Sequence, residues 1–158
     1  MDYTSRIPPE ELVEMLTIEA GGFSRICHAA IPHLRRTAGG IVAVTSAALN
    51  RHVPKDTLST APKAAIEAMV RALAREEGRF GVRANSVRVG VVDGGMFHHF
   101  AGSDGAIDEA WVSAATENVA LRRLGTPDEV GAVIAFLLSA GATYVSGQAI
   151  AVDGGFAI

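Results

Sequence analysis

The sequence predicts an α/β fold in which a parallel sheet of about three strands is flanked by helices. Three short segments, at residues 41–44, 82–89 and 148–152, have the length and composition of buried strands. Longer segments with helical periodicity or helix-start signals lie between them. Strands that alternate with helices pair in parallel through right-handed crossovers, so this order of elements indicates a layered α/β domain.

The first predicted helix spans residues 8–36. It opens with Pro8-Pro9 followed by Glu10-Glu11, and prolines and carboxylates are both favoured in the first turn of a helix. Gly21-Gly22 are expected to weaken or bend its middle, and Gly39-Gly40 to end it. The continuous apolar run 41–44 then predicts a strand buried on both faces.

A loop over residues 47–57 leads to a second helix, predicted at 58–79. Its many alanines favour helix and allow a neighbouring helix to approach closely. The next strand is predicted at 82–89 and a further helix at 107–121.

The last helix has the clearest start signal in the chain. Thr126 is a hydroxyl N-cap, Pro127 occupies the first helical position and Glu129 is placed to complete a capping box. This helix is expected to run to Ser139. A final strand follows at 148–152 and is closed by Gly154-Gly155.

Composition limits the function classes. A chain of 158 residues with 49% hydrophobic residues suffices for one core, so residues 1–158 are read as a single domain. The net charge of −3 gives no electrostatic footprint for nucleic acid, and the longest apolar run, 130–138, is too short to cross a bilayer. Cys27 is the only cysteine and the N-terminus lacks a signal-like apolar core, so a cytoplasmic protein is expected.

Three polar residues stand out as site candidates: Ser46 after the first strand, and Ser59 and Lys63 at the start of the second helix. Positions 59 and 63 are one helical turn apart, so their side chains share a face and can reach one site. Five segments place these residues in a wider pattern, namely 40–46, 59–65, 82–87, 123–130 and 146–155.

These segments, in this order, resemble the C-terminal part of the short-chain dehydrogenase/reductase family over nearly the whole chain. The resemblance implies a partial Rossmann-like, doubly wound parallel sheet. It also implies that Ser46, position 59 and Lys63 correspond to the family's catalytic Ser, Tyr and Lys, because Ser46 precedes Ser59 by the family's 13 positions. The cofactor implied is NAD or NADP, bordered by Lys63 and by Val89, Gly90 and Val92.

The chain departs from the family at the residue that matters most for catalysis. Ser59 stands where the family has a tyrosine, and an alkyl hydroxyl is a far weaker acid than a phenol with a pKa near 10. Ile18 falls where the family has a relay asparagine, Val89 replaces a proline and Gly94 replaces a threonine. No Gly-x-Gly occurs, so this chain alone is not expected to bind a dinucleotide tightly.

The preferred hypothesis is therefore a degenerate family member, a pseudoenzyme that is non-catalytic alone and acts as a homo-oligomer or with a second chain of the same family. Helices 8–36 and 58–79 resemble those of the family's dimer contact. One alternative is an NAD(P)-dependent alcohol or ketone oxidoreductase whose nucleotide half comes from another chain, with His52, Ser59 or water moving the proton. Another is a lyase or isomerase that reuses the pocket of Ser46 and Lys63. Both alternatives imply a small-molecule substrate.

The segment after the second strand suggests a substrate lid. It contains His98-His99 between Phe97 and Phe100, and Trp111 follows. Adjacent histidines with no third ligand nearby do not indicate a metal site, and none is predicted.

Overall fold

The computed structural model describes residues 2–95, 97–98 and 109–158. Five α-helices and three strands are described, in the order α1 (Pro9–Met15), α2 (Gly21–Thr37), β1 (Gly40–Ser46), α3 (Thr57–Glu77), β2 (Arg83–Val89), α4 (Glu109–Glu117), α5 (Pro127–Leu138) and β3 (Ala149–Val152). The strands form one parallel sheet in the order β1-β2-β3. The predicted α/β fold is confirmed.

Helices cover both faces of the sheet. On one face α3 packs against β1 and β2, where Ala43, Ala84, Ile66 and Val70 form a buried cluster. On the other face α5 lies across all three strands and buries Leu137. Helix α2 is tied to the far end of α3 by Arg35, which donates to both carboxylate oxygens of Glu77 at 2.6 and 2.7 Å.

The first predicted helix is interrupted rather than continuous. A π-helical segment, Leu16–Ala20, joins α1 to α2 just before Gly21-Gly22, where the sequence predicted a weak point. Helix α2 ends at Thr37, and its C-cap residue Ala38 adopts a left-handed φ of 51°, one residue before the predicted Gly39 stop.

The first strand is less buried than the sequence predicted. Strand β1 lies at the edge of the described sheet and pairs only with β2, so its second edge has no partner within the described residues. Val44 is 55% exposed on the face opposite α3, which corrects the prediction of a strand buried on both faces. An apolar strand with an open edge favours pairing with another chain.

A buried ion pair fixes α3 onto the sheet. Glu67 of α3 is 3% exposed and accepts from Arg88 of β2 at 2.5 and 2.8 Å and from the Thr45 hydroxyl at 2.9 Å. The Arg88 guanidinium also donates to Asn50 in the turn after β1. Burial raises the pKa of the Glu67 carboxyl, but these hydrogen bonds and the charge of Arg88 outweigh it, and the net shift is downward.

The start of α5 is as predicted. The Thr126 hydroxyl accepts from the Glu129 backbone N–H, and the Glu129 carboxylate accepts from the Thr126 backbone N–H at 2.8 Å. Arg123 adds a bidentate ion pair to the same carboxylate. Over the described residues, no helix is both long and apolar enough to cross a membrane.

Candidate functional site

A cleft of about 530 Å³ opens at the carboxyl ends of β1 and β2. We call it the Ser46 cleft. Its walls come from the end of β1 and the following turn, from residues 53–56, from residues 89–91, and from α4 and the turn after it, with Phe156 closing one side. Ligand sites of open α/β sheets lie at this edge, so its location marks it as the candidate site.

Ser46 is held in the cleft by strand pairing. It lies opposite Val89 in the parallel register of β1 and β2, so the last residues of the two strands stand side by side. Its Oγ accepts from the Ala48 backbone N–H at 3.1 Å, which starts the short 3₁₀ turn Ala47–Leu49. The hydroxyl proton of Ser46 keeps its capacity to donate.

Gly90 follows Val89 at a point of close backbone approach. A Cβ at position 90 would lie 2.8 Å from Asp153 Cα and would collide with the backbone after β3. Glycine is therefore required here by packing against Asp153.

Ser59 and Lys63 form a pair one turn apart on α3, as their spacing predicted. The Lys63 Nζ donates to the Ser59 hydroxyl and to the Ser59 carbonyl, both at 3.3 Å. As far as the described residues define the lining of the Ser46 cleft, it includes Ser46, Val89 and Gly90 but neither Ser59 nor Lys63.

Glu19 is the third partner of Lys63, and the sequence analysis missed it. Its carboxylate lies 3.0 Å from the Lys63 Nζ, and both side chains are largely shielded from solvent, at 26% and 18% exposure. Position 18, which the resemblance marked as the relay position, instead carries an isoleucine that is 59% exposed. The π-helical segment widens the turn there, and the adjacent residue 19 is the one that reaches Lys63.

Asp56 is a second residue that the sequence analysis missed. It occupies the N-cap position of α3 and lines the Ser46 cleft, yet its side chain makes no capping hydrogen bond. Burial raises the pKa of the Asp56 carboxyl, and the charges of Lys63 and His52 only partly offset this. Residue 55 before it adopts a left-handed φ of 70°, which L-residues rarely adopt.

Arg51 ties together the outer wall of the cleft. Its guanidinium donates to the Phe156 carbonyl at 3.1 Å and to the Asn118 side chain at 3.4 Å, and it lies over the Phe156 ring at 5.2 Å. Because Asn118 and Phe156 both line the cleft, this loop arginine holds the C-terminal turn against the end of α4.

The remaining sequence candidates that the structure describes do not line this cleft. Val92 pairs with Gly125 in an isolated parallel bridge and lines a neighbouring cavity of about 450 Å³. His98 contacts Asp93 at 2.6 Å and both side chains are exposed. His99, Phe100, the beginning of the predicted helix 107–121 and the side chain of Trp111 lie outside the described residues. Across the part of the chain described, no group of three metal-ligating side chains is present.

The comparisons with known proteins agree with this architecture. Residues 2–157 match the sequence model of a family described as enoyl-(acyl carrier protein) reductase. The chain belongs to this family, within the short-chain dehydrogenases and reductases.

Curated relatives are similar to the chain at modest identity. A 3-oxoacyl-[acyl-carrier-protein] reductase of Chlamydia muridarum is 31% identical over 153 residues, which cover 96% of this chain and 59% of the relative. An acetoacetyl-CoA reductase of Synechocystis is 38% identical over 120 residues, 75% of this chain and 47% of the relative. The chain thus spans about half the length of the curated relatives it matches.

Solved structures share the fold. An NADPH-bound short-chain oxidoreductase from Pseudomonas aeruginosa, described as containing an atypical catalytic center, superimposes with a TM-score of 0.85 at 28% identity, covering 98% of this chain and 60% of that one. A 3-oxoacyl-[acyl-carrier protein] reductase from Brucella melitensis gives a TM-score of 0.88 at 24% identity, covering 99% and 56%, and shows the fold alone.

Proposed function

We propose that this chain is a short-chain dehydrogenase/reductase-like subunit that does not reduce carbonyls by itself and acts by associating with a copy of itself or with a second chain of the family. One observation carries the proposal. By the family resemblance Ser59 takes the position of the catalytic phenol, and the Lys63 ammonium beside it donates to Glu19 and to Ser59.

The first support is chemical. A phenol has a pKa near 10 and a neighbouring ammonium brings it towards working pH, whereas an aliphatic hydroxyl is too weak an acid to follow. Ser59 therefore cannot supply or take the proton of a carbonyl-to-alcohol conversion at a useful rate.

The second support is the hydrogen bonding of Lys63. An ammonium has three N–H donors. Glu19, the Ser59 carbonyl and the Ser59 hydroxyl provide three acceptor groups for Lys63. A nicotinamide ribose would have to displace a carboxylate from a shielded ion pair, so the residues present fit a nicotinamide cofactor poorly.

The third support is the apolar surface left open. Val13, Ile18 and Ile26 of the first helical stretch are each more than half exposed, and so is Val44 on the opposite face of the sheet. Exposed apolar side chains on these two faces offer surface that another chain can cover.

A second candidate is a reductase completed by another chain that supplies the nucleotide-binding half. The geometry of Ser46, Val89 and Gly90 around one cleft favours it, as does the likeness to an oxidoreductase that binds NADPH despite an atypical catalytic center. The two candidates differ in whether a partner restores cofactor binding.

The test is to titrate NADH and NADPH with the purified chain and, separately, with the matched variant Lys63→Ala. Nicotinamide fluorescence reports the binding. The proposal predicts no saturable binding by either protein. Saturable binding at micromolar concentration that Lys63→Ala abolishes would overturn it.

A further inference from the structure

The last residues of the chain form a wall that two cavities share. Phe156 lines the Ser46 cleft. The neighbouring cavity of about 450 Å³ is lined by three other residues of the same segment, namely Gly154, Gly155 and Ile158. Val91 lines both cavities. We call residues 154–158 the C-terminal strap.

The strap follows a fixed point of the fold and has freedom to turn beyond it. The Gly90 backbone N–H donates to the last carbonyl of β3 at 3.1 Å, and Asp153 packs closely against Gly90. Residues 154–157 are only half-buried. Gly154 and Gly155 adopt left-handed φ of 63° and 84°, and glycine reaches these angles and ordinary angles about equally well. The backbone can therefore turn at these two glycines while β3 stays in place.

Two charged side chains hold the strap against the rest of the chain. The Arg51 guanidinium donates to the Phe156 carbonyl at 3.1 Å and lies over the Phe156 ring at 5.2 Å. The Asp153 carboxylate accepts from two backbone N–H groups of the strap, at 2.9 and 3.1 Å. The Leu121 backbone N–H adds one further hydrogen bond to the strap, at 3.0 Å. Chain termini are poorly ordered unless they are tied down, so these contacts keep the strap in place.

The strap covers an apolar side chain. Val119, in the turn after α4, is 5% exposed. A Cβ built at position 154 would lie 2.7 Å from the Val119 Cγ1 atom, so the strap backbone lies directly on this side chain. Displacing the strap therefore uncovers Val119.

We propose that the C-terminal strap opens and closes as a unit over an otherwise intact fold, with Arg51 and Asp153 as its latch. Hydrogen bonds with one ionised partner are stronger than neutral ones, so these two side chains set the balance between the closed and open states. A segment with few buried contacts opens at a lower free-energy cost than the whole domain. In the open state the two cavities lose their shared wall and become continuous beside Val91.

This device is independent of the proposed function. Its opening needs neither a nucleotide nor a second chain, and its latch includes neither Ser59 nor Lys63. The nucleotide titration and the test of the strap therefore succeed or fail separately.

The test measures how often Val119 is uncovered. A thiol is introduced by Val119→Cys, and its reaction with N-ethylmaleimide is followed by peptide mass spectrometry. The labelling rate of a covered thiol is proportional to the fraction of molecules in which it is uncovered. Cys27 is the only native cysteine and is 6% exposed on α2, so it serves as the reference within the same molecule.

Three variants are compared in this background. Arg51→Ala and Asp153→Asn are each expected to raise the labelling rate at position 119 about tenfold, the effect of losing one charge-assisted hydrogen bond. Arg75→Ala removes an exposed arginine from α3 and should leave that rate unchanged. The rate at Cys27 should be the same in all of them.

Urea below the unfolding transition gives a second measurement on the chain with its latch intact. Opening the strap exposes little surface, so the rate at position 119 should not change with urea, whereas the rate at Cys27 should rise. The proposal is overturned by an unchanged rate at position 119 in both latch variants, by an equal acceleration at Cys27, or by the same urea dependence at both thiols. The urea comparison decides the question even where a latch variant does not fold.

Discussion

Removing the carboxylate of Glu67 should destabilise the protein more than removing any exposed acid. Glu67 is 3% exposed and neutralises Arg88 in a bidentate contact, while also accepting from Thr45. In Glu67→Ala the guanidinium stays in place without a counter-charge, and a buried threonine hydroxyl loses an acceptor.

The magnitude follows from this geometry. Breaking a buried ion pair by removing one partner costs about 3–5 kcal/mol. The Arg88 side chain is 21% exposed and can recover part of its hydration, so the lower end, about 3 kcal/mol, is expected. A domain of this size has a free energy of unfolding of about 5–15 kcal/mol, so the loss is a large share of it.

Urea unfolding followed by far-UV circular dichroism measures this loss. Glu76→Ala is the matched control, because Glu76 lies on the same helix and is exposed. It should change the free energy of unfolding by no more than about 0.5 kcal/mol. The double variant Glu67→Met/Arg88→Met should recover most of the stability, since apolar side chains can replace a buried pair. A loss below about 1 kcal/mol in Glu67→Ala would show that the ion pair does not fix α3 to the sheet.

Three further predictions concern other parts of the chain. Ser59→Tyr restores the phenol but should give the isolated chain no NADPH-dependent activity, since Lys63 remains engaged by Glu19; an activity gained in a spectrophotometric assay would contradict this. Ile26→Asp places a charge on an exposed apolar helix position, so sedimentation should show weaker self-association than in the unaltered chain, and an unchanged distribution would exclude that surface. The Arg123 ion pair and the Thr126 backbone bond lower the pKa of the Glu129 carboxyl from 4.5 to about 2. A carboxyl whose pKa is lower in the folded state than in the unfolded state adds stability above its unfolded-state pKa, and this stability is lost as the pH falls. The difference in the free energy of unfolding between the unaltered chain and Glu129→Gln should therefore shrink as the pH falls from 4.5 towards 2. A difference that does not change with pH would refute this assignment.

Features set by local chemistry were predicted from the sequence. The capping box at Thr126, the alanine-rich helix α3 and the three strands all depend on residues close together in the chain, and the structure contains each of them. The pairing of Ser59 with Lys63 belongs to the same class, because one helical turn separates them. Their catalytic and cofactor roles stay predictions.

Features set by contacts between distant segments were not predicted. Glu19 reaches Lys63 across 44 positions of sequence, and it does so from the π-helical turn between α1 and α2, which the sequence did not predict. Asp56 lies in a segment that the sequence predicted as a loop, and its place in the lining of the Ser46 cleft depends on how distant segments pack around it. The exposure of Val44 depends on which strand lies at the sheet edge, and the apolar run itself does not encode this order.

The most direct test of the central claim is to incubate the purified chain with NADPH and acetoacetyl-CoA and to follow the nicotinamide absorbance. With Ser59 in place of a phenol and Lys63 saturated by internal acceptors, the account predicts no oxidation of NADPH above the rate without protein. A rate proportional to chain concentration that Ser46→Ala and Lys63→Ala both abolish would contradict it.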